Sequence, residues 1–337
     1  MRDLIEALCS ADCAGRAAGS SGGRLARAIV SDAFVKAGLK PEEQLVPGCK
    51  GANVLASVAG DGPRWVLVGA HYDHLGTHGS KVFHGADDNA AAVAVLVELG
   101  RALAAKPPKG RSVLLAAFDG EEPPHYMSEA MGSAQFCATP TVPLQELDLM
   151  VSMDLVGHAV GPAVLPPAVR NTLFALGAER SEGTSAVVDS VSVPGLVVRR
   201  ADAEVIPPLS DHWPFWRASV PFMLLTCGRW EHYHAVTDTP DRLDYAKIAA
   251  TAKWLEAFVR AACARPEVKV RFTNARDDVS SLRSIIAVLS ELQAVSELAA
   301  VALAQAEELL EGCDERGVSP VPKRVAELVG QIESALA

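Results

Sequence analysis

Short apolar runs bounded by turn residues alternate with stretches of helical spacing through most of the chain. This is the pattern of βα units that bury a largely parallel sheet on both faces. Runs at 53–59, 65–70, 112–118, 149–153, 196–199 and 221–226 predict strands, and helical periodicity predicts helices over 22–37, 90–104, 167–176 and 245–262. The rhythm ends around 265–276. Beyond it Leu282, Ile285, Ile286, Leu289, Leu292, Leu303 and Leu310 recur at helical spacing, with Leu298 beside the same stripe. Gly312 is a stop signal, and Ser319-Pro320 opens a shorter helix carrying Val321, Val325, Leu328, Ile332 and Leu336. The expected organisation is an α/β domain over 1–270 and a C-terminal helical hairpin over 276–337. A single first helix of about 30 residues would be ~45 Å long, more than a compact domain needs for cover. The hairpin therefore either packs on its own domain or joins two subunits, and a homodimer is the expectation.

Composition narrows the class. With 49% hydrophobic and 21% charged residues in 337, the chain can bury a large core, which excludes disordered and fibrous proteins. The 31 basic and 41 acidic residues give a net charge of −10, which repels nucleic acid and anionic lipid. No apolar stretch follows Arg2, and no later run reaches the ~18 apolar residues of a membrane span, so a soluble cytoplasmic protein without nucleic-acid or membrane partners is expected. Seven scattered cysteines without C-x-x-C pairing suit reduced thiols.

Candidate chemistry stands where the strands end. His71 closes one apolar run, where open α/β sheets place their ligands, and Asp73 can orient its imidazole. Asp87 and Asp88 sit together in a turn at a helix start; capping accounts for one of them. Glu121 and Glu122 follow the run 112–118, where one can bind metal while the other handles protons. Asp154 ends 149–153, a costly place for a carboxylate unless a cation meets it. Tyr233-His234 follows 221–226, with Asp238 four residues on. Two imidazoles and three carboxylates without thiolate suit zinc, with cobalt or manganese as substitutes.

In this order the motifs resemble those of the zinc-dependent aminopeptidase superfamily, which also holds glutamate carboxypeptidases and glutaminyl cyclases. The resemblance covers about residues 1–265 and begins at Gly15-Arg16-Ala17-Ala18-Gly19-Ser20. It implies a three-layer α/β/α fold around a mixed, largely parallel sheet, and two zinc ions. His71 and Asp154 would hold one, Glu122 and His234 the other, and Asp88 would bridge them. Glu121 would be the general base and acid, Tyr233 would stabilise the oxyanion, and Asp73 would orient His71. A cis peptide between Asp88 and Asn89 is also implied. The activity implied is removal of N-terminal residues from peptide or aminoacyl substrates.

The chain departs from that pattern in places. Nine residues, 123–131, separate Glu122 from Gly132-Ser133 where ordinary aminopeptidases have a shorter link, and Ala235-Val236 follows His234 in place of Thr-Pro. The long loop, with Ser210-Asp211-His212-Trp213-Pro214-Phe215, also resembles the cyclase branch, in which one zinc serves to form pyroglutamate. Against the cyclase, Asn89 stands where those enzymes have Ser. A metal-free interaction protein on the same fold is the third reading, disfavoured by the complete ligand set. Trp213, Trp216 and Trp230 either pack in the core or line a substrate pocket, and Arg199, Arg200 and Arg229 are candidates for a substrate carboxylate.

Overall fold

The computed structural model describes residues 1–293 and 297–336. Strands run over Glu42–Val46 (β1), Gly51–Val58 (β2), Trp65–His71 (β3), Thr77–His78 (β4), Lys81–Val82 (β5), Ser112–Phe118 (β6), Leu147–Met153 (β7), Thr172–Leu176 (β8), Val197–Ala201 (β9) and Phe222–Thr226 (β10). Eight of them form one sheet in the order β1-β2-β6-β3-β7-β10-β8-β9, and β4 and β5 make a separate hairpin. The neighbours β6, β3, β7 and β10 are parallel, as are β8 and β9, while β1, β2 and β10 make antiparallel pairings with β2, β6 and β8 respectively.

The four central strands are almost wholly buried, because helices cover both faces and leave no polar side. Alternation sorts their side chains into two cores: Val66, Val68 and Ala70 of β3 join the larger, Leu67 the smaller. The α-helices are Arg2–Leu8 (α1), Ser21–Lys36 (α2), Ala92–Ala105 (α3), Gly132–Ala138 (α4), Pro167–Arg170 (α5), Thr184–Ser190 (α6), His212–Arg217 (α7), Tyr245–Cys263 (α8), Asp278–Leu292 (α9), Glu297–Glu311 (α10) and Pro322–Leu336 (α11). On one face α3 packs against β3 and α8; on the other α7 packs against α4, β7 and β10. Phe136 of α4 and Phe215 of α7 fill the smaller core beside Phe118. Capping fixes the starts of the long helices: Ser20 accepts from the Gly23 amide, Asp244 from Lys247 and Asp277 from Ser280. None of the described helices is long and apolar enough to cross a membrane.

Three elements differ from the sequence reading. The helix expected over 167–176 stops at Arg170, and Thr172–Leu176 becomes a strand held between β10 and β9, with Leu173 and Ala175 buried. Pairing on both sides overrides the helical spacing. The strand β1, mostly polar and exposed on its edge, shows no apolar alternation to betray it. The long first helix of the C-terminal segment is two helices, α9 and α10, so the segment holds three. Residues 294–296 between them lie outside the described residues. Leu282, Ile285, Leu289 and Leu292 are buried in the same core cluster as Trp254 of α8, so the α9 part of the stripe is covered within the chain, while Ile286, Leu303 and Leu310 are half-buried. Leu298 and Val301 remain exposed.

Candidate active site

Because β3, β6, β7 and β10 are adjacent and parallel, the residues after them arrive at one edge of the sheet. His71 ends β3, Glu121 and Glu122 follow β6, Asp154 follows β7, and the loop after β10 brings Tyr233 and His234. Asp88 comes from the turn that opens α3.

That turn is held from several sides. Gly85 has φ +58°, and a side chain there would collide with the Asp88 carbonyl oxygen and the His74 ring. The Asp238 carboxylate accepts from the Asp87 amide at 2.9 Å and the Asp88 amide at 3.1 Å. Asp87 accepts from the Gly157 amide and contacts His158 Nδ1 at 2.6 Å, and the His158 ring stacks on Trp230. Asn89 donates to the Met153 carbonyl, and the Asp88–Asn89 peptide is cis, as the resemblance implies. From below, the buried Arg16 guanidinium donates to the carbonyls of Tyr72, His84, Gly85 and Asp88.

The presented side chains form two clusters that share Asp88. His71 Nε2 lies 3.4 Å from Asp88 Oδ1 and 3.6 Å from Asp154 Oδ1. His234 Nε2 lies 3.3 Å from Asp88 Oδ2 and 3.2 Å from Glu122 Oε2. Tetrahedral ligands about 2.0–2.1 Å from a zinc ion are separated by roughly 3.3 Å from one another, so both clusters have the span of a metal site. His71 Nε2, Asp88 Oδ2 and Asp154 Oδ1 are buried without hydrogen-bond partners. Buried polar atoms left in that state are costly unless a cation meets them. The residues present therefore fit the metal that the motifs imply.

Supports flank these clusters. Asp73 accepts from the Glu121 amide at 3.1 Å and the Glu122 amide at 3.2 Å, and its backbone oxygen lies 3.2 Å from His71 Nδ1. An Nδ1–H donated there leaves Nε2 bare for a metal. His74, unassigned from sequence, is 2.8 Å from Glu122 Oε1. The trio His74, Asp88 and Glu122 also converges, but 2.8 Å is a hydrogen-bond length and His74 Nδ1 is 3.9 Å from Asp88. His74 steadies Glu122 on this geometry. The spacing His71-x-Asp73-His74 was the available signal for it, and nothing in sequence pointed to His158.

Electrostatics match a site built for cations. Burial alone would lower the His71 pKa, yet Glu121, Asp154, Asp73 and Asp88 raise it well above the ordinary value. Burial is likewise outweighed at His234, where Asp88 and Glu122 push it up to about 10. Burial, reinforced by Asp154, Glu122 and Asp211, raises the Glu121 carboxyl well above the usual carboxylate range. Asp211 itself is pushed up to about 7 by burial. The phenol of Tyr233, stacked on His234 at 3.9 Å, is raised by burial and by the carboxylates, so it stays a protonated donor. Zinc needs neutral imidazoles, so its binding at pH 7.5 should expel roughly two protons per chain. Titration calorimetry in buffers of different ionisation enthalpy reads this directly; heats independent of buffer would show that the histidines are already neutral.

A cavity of about 330 Å³ opens from the clusters, with Tyr126 of the loop 123–131 and Arg229 on its lining. Trp216 instead packs with Phe222 and Arg180, Trp230 with His158, and Trp213 under Arg217. Arg200 pairs with Asp189 and Asp277, and Arg199 bonds to Thr172 and Ala168, so both are committed to structure.

The sequence pattern of peptidase family M28 matches residues 53–259, and the chain belongs to that family. YfbL of Escherichia coli (strain K12), an uncharacterized protein, is 32% identical over 248 residues, covering 65% of this chain and 74% of YfbL. Glutaminyl-peptide cyclotransferase of Boiga irregularis is 30% identical over 244 residues, 62% of this chain. The match spans 64% of the cyclotransferase, less than two thirds of its length. In fold, the chain is similar to LapA aminopeptidase of Legionella pneumophila, with TM-score 0.61, 16% identity, and coverage of 79% of this chain and 72% of LapA. It is also similar to a zinc-dependent exopeptidase from Parabacteroides distasonis, with TM-score 0.59, 16% identity, and coverage of 79% and 98% respectively. The chain is thus a member of peptidase family M28 that is also similar to glutaminyl-peptide cyclotransferases.

Proposed function

We propose that the chain is a metallo-aminopeptidase that hydrolyses the N-terminal bond of peptides with two zinc ions. The observation that carries this reading is Asp88, whose two oxygens face different histidines, Oδ1 toward His71 and Oδ2 toward His234. A carboxylate so placed would serve two cations at once, which supports the two-metal reading: His71 and Asp154 would complete one site, Glu122 and His234 the other. When bound, the pair would polarise the scissile carbonyl and bring the pKa of the attacking water toward ~7.

The rest is done by the chain. Glu121, held by its amide on Asp73, takes the proton of the attacking water and returns it to the leaving amine. Burial and the neighbouring carboxylates raise its pKa, which makes it a stronger proton acceptor. Tyr233 donates its hydroxyl to the developing oxyanion. The surplus of carboxylates suits the free ammonium of a peptide N-terminus, which selects ends over interior bonds.

The second reading is a single-zinc glutaminyl cyclase, favoured by the match to the snake cyclotransferase and by the loop 123–131. Metal analysis under saturating zinc separates the two: two ions per chain are expected for the aminopeptidase. A single tight zinc with no second site would favour the cyclase.

A further inference from the structure

The family match ends at residue 259, yet the wall of the cavity farthest along the chain comes from beyond it. Ser281, Ser284, Ile285 and Val288 of α9 and Val329 and Ile332 of α11 line the same space as Asp88, Glu121 and His234. We propose that α9 and α11 form the specificity wall of the substrate cavity and select a bulky apolar side chain on the N-terminal residue. This rests on the aminopeptidase reading for which residue of the substrate enters.

The chemistry of the cavity is divided. The groups that suit a cation, Asp88, Glu121, Glu122 and Asp154, lie on the cluster side. The strand contributions to the lining are Phe174, Leu176, Ala201, Leu224 and, at the end of β10, Thr226, and α9 and α11 add aliphatic residues and two serines. Those serines offer a ligand little: Ser284 donates to the Arg200 carbonyl at 2.7 Å, and Ser281 accepts from the Asp202 amide at 2.7 Å while donating to the Asp277 carbonyl. The same bonds tie α9 to β9, reinforced by the Arg200–Asp277 ion pair, so the wall is fixed in place. Among the described residues, no charged side chain of α9 or α11 lines the space. A ligand that matches both ends carries an amine and a large apolar group on one carbon, and about 330 Å³ holds such a group without a long peptide.

The test uses amino alcohols, which keep the amine and side chain but have no bond to cleave. Full-length, zinc-loaded protein should bind leucinol and phenylalaninol at least about tenfold more tightly than alaninol by calorimetry, the range apolar pockets reach. Val288→Phe, which fills the space, should remove most of that preference. Ile332→Ala, on the half-buried face of α11, should widen the space and move the ratio of phenylalaninol to leucinol affinity several-fold toward phenylalaninol. Equal affinity for alaninol and leucinol in the wild type, no binding of any of the three, or a preference intact in folded Val288→Phe would overturn the proposal. Should Val288→Phe fail to give a native circular dichroism spectrum, an unchanged ratio in Ile332→Ala overturns it instead. Because binding is read without turnover, an enzyme that cleaves no aminoacyl substrate yet shows the wall-dependent preference would sink the peptidase reading alone.

Discussion

Glu121→Gln should keep its zinc and lose about 10²–10⁴-fold in kcat, the usual worth of a positioned proton carrier. The amide matches the carboxylate in shape and still allows the Glu121 backbone N–H to reach Asp73, so the fold around it is preserved. Glu121 Oε2 stands 3.8 Å from His71 Nε2, farther than either carboxylate proposed to share a metal with that histidine. Ligation should therefore survive while proton transfer is lost, and the loss should fall in kcat more than in KM. Zinc content by mass spectrometry, alongside steady-state kinetics on a leucyl substrate, reads both halves. Near-normal turnover by metal-replete protein would place the base elsewhere.

Arg16→Ala should be among the most destabilising single changes in the chain although Arg16 lies far in sequence from every proposed ligand. Its guanidinium is fully buried and donates to main-chain carbonyls on either side of the site: Tyr72 beside His71, and His84, Gly85 and Asp88 in the bridging turn. Truncation removes a charged donor from each of those carbonyls, of which Gly85 keeps the Ala90 amide, and opens a void. At roughly 1.5–3 kcal/mol for each charge-assisted bond, with partial relaxation, a loss of about 3–5 kcal/mol is expected. Because the turn carries Asp88, zinc affinity should fall as well, by about 10–100-fold, as for groups that orient ligands. Arg16→Lys should not restore it, since one ammonium cannot span carbonyls that a planar fork reaches together. Thermal melts with and without zinc test this, and wild-type melting of both variants would contradict it.

The legibility of this fold depended on how local each signal was. His71, Glu121, Glu122 and Asp154 follow apolar strands directly, so parallel pairing was enough to predict that they meet. His74 and His158 gain their places through Glu122 and through Asp87 and Trp230, partners distant in the chain that no spacing announces. The strand β8 depends on pairing with β10 and β9, and its own residues read equally well as the end of a helix. Likewise the stripe from Leu282 onward showed correctly that α9 is amphipathic, but not that its apolar side would close on β9 and border the cavity. Arg16 was visible only as part of a motif; its role is a set of backbone contacts across about 70 residues.

The central claim is hydrolysis at the N-terminus, and one measurement meets it head on. Zinc-loaded protein is incubated with two peptides differing only in their first residue, leucine in one and glutamine in the other, and the products are weighed by mass spectrometry. The expected products are free leucine and a peptide shorter by one residue, with leucine removed faster than glutamine. A glutamine peptide converted to a product lighter by one ammonia, with the leucine peptide untouched, would contradict the claim and make the chain a cyclase.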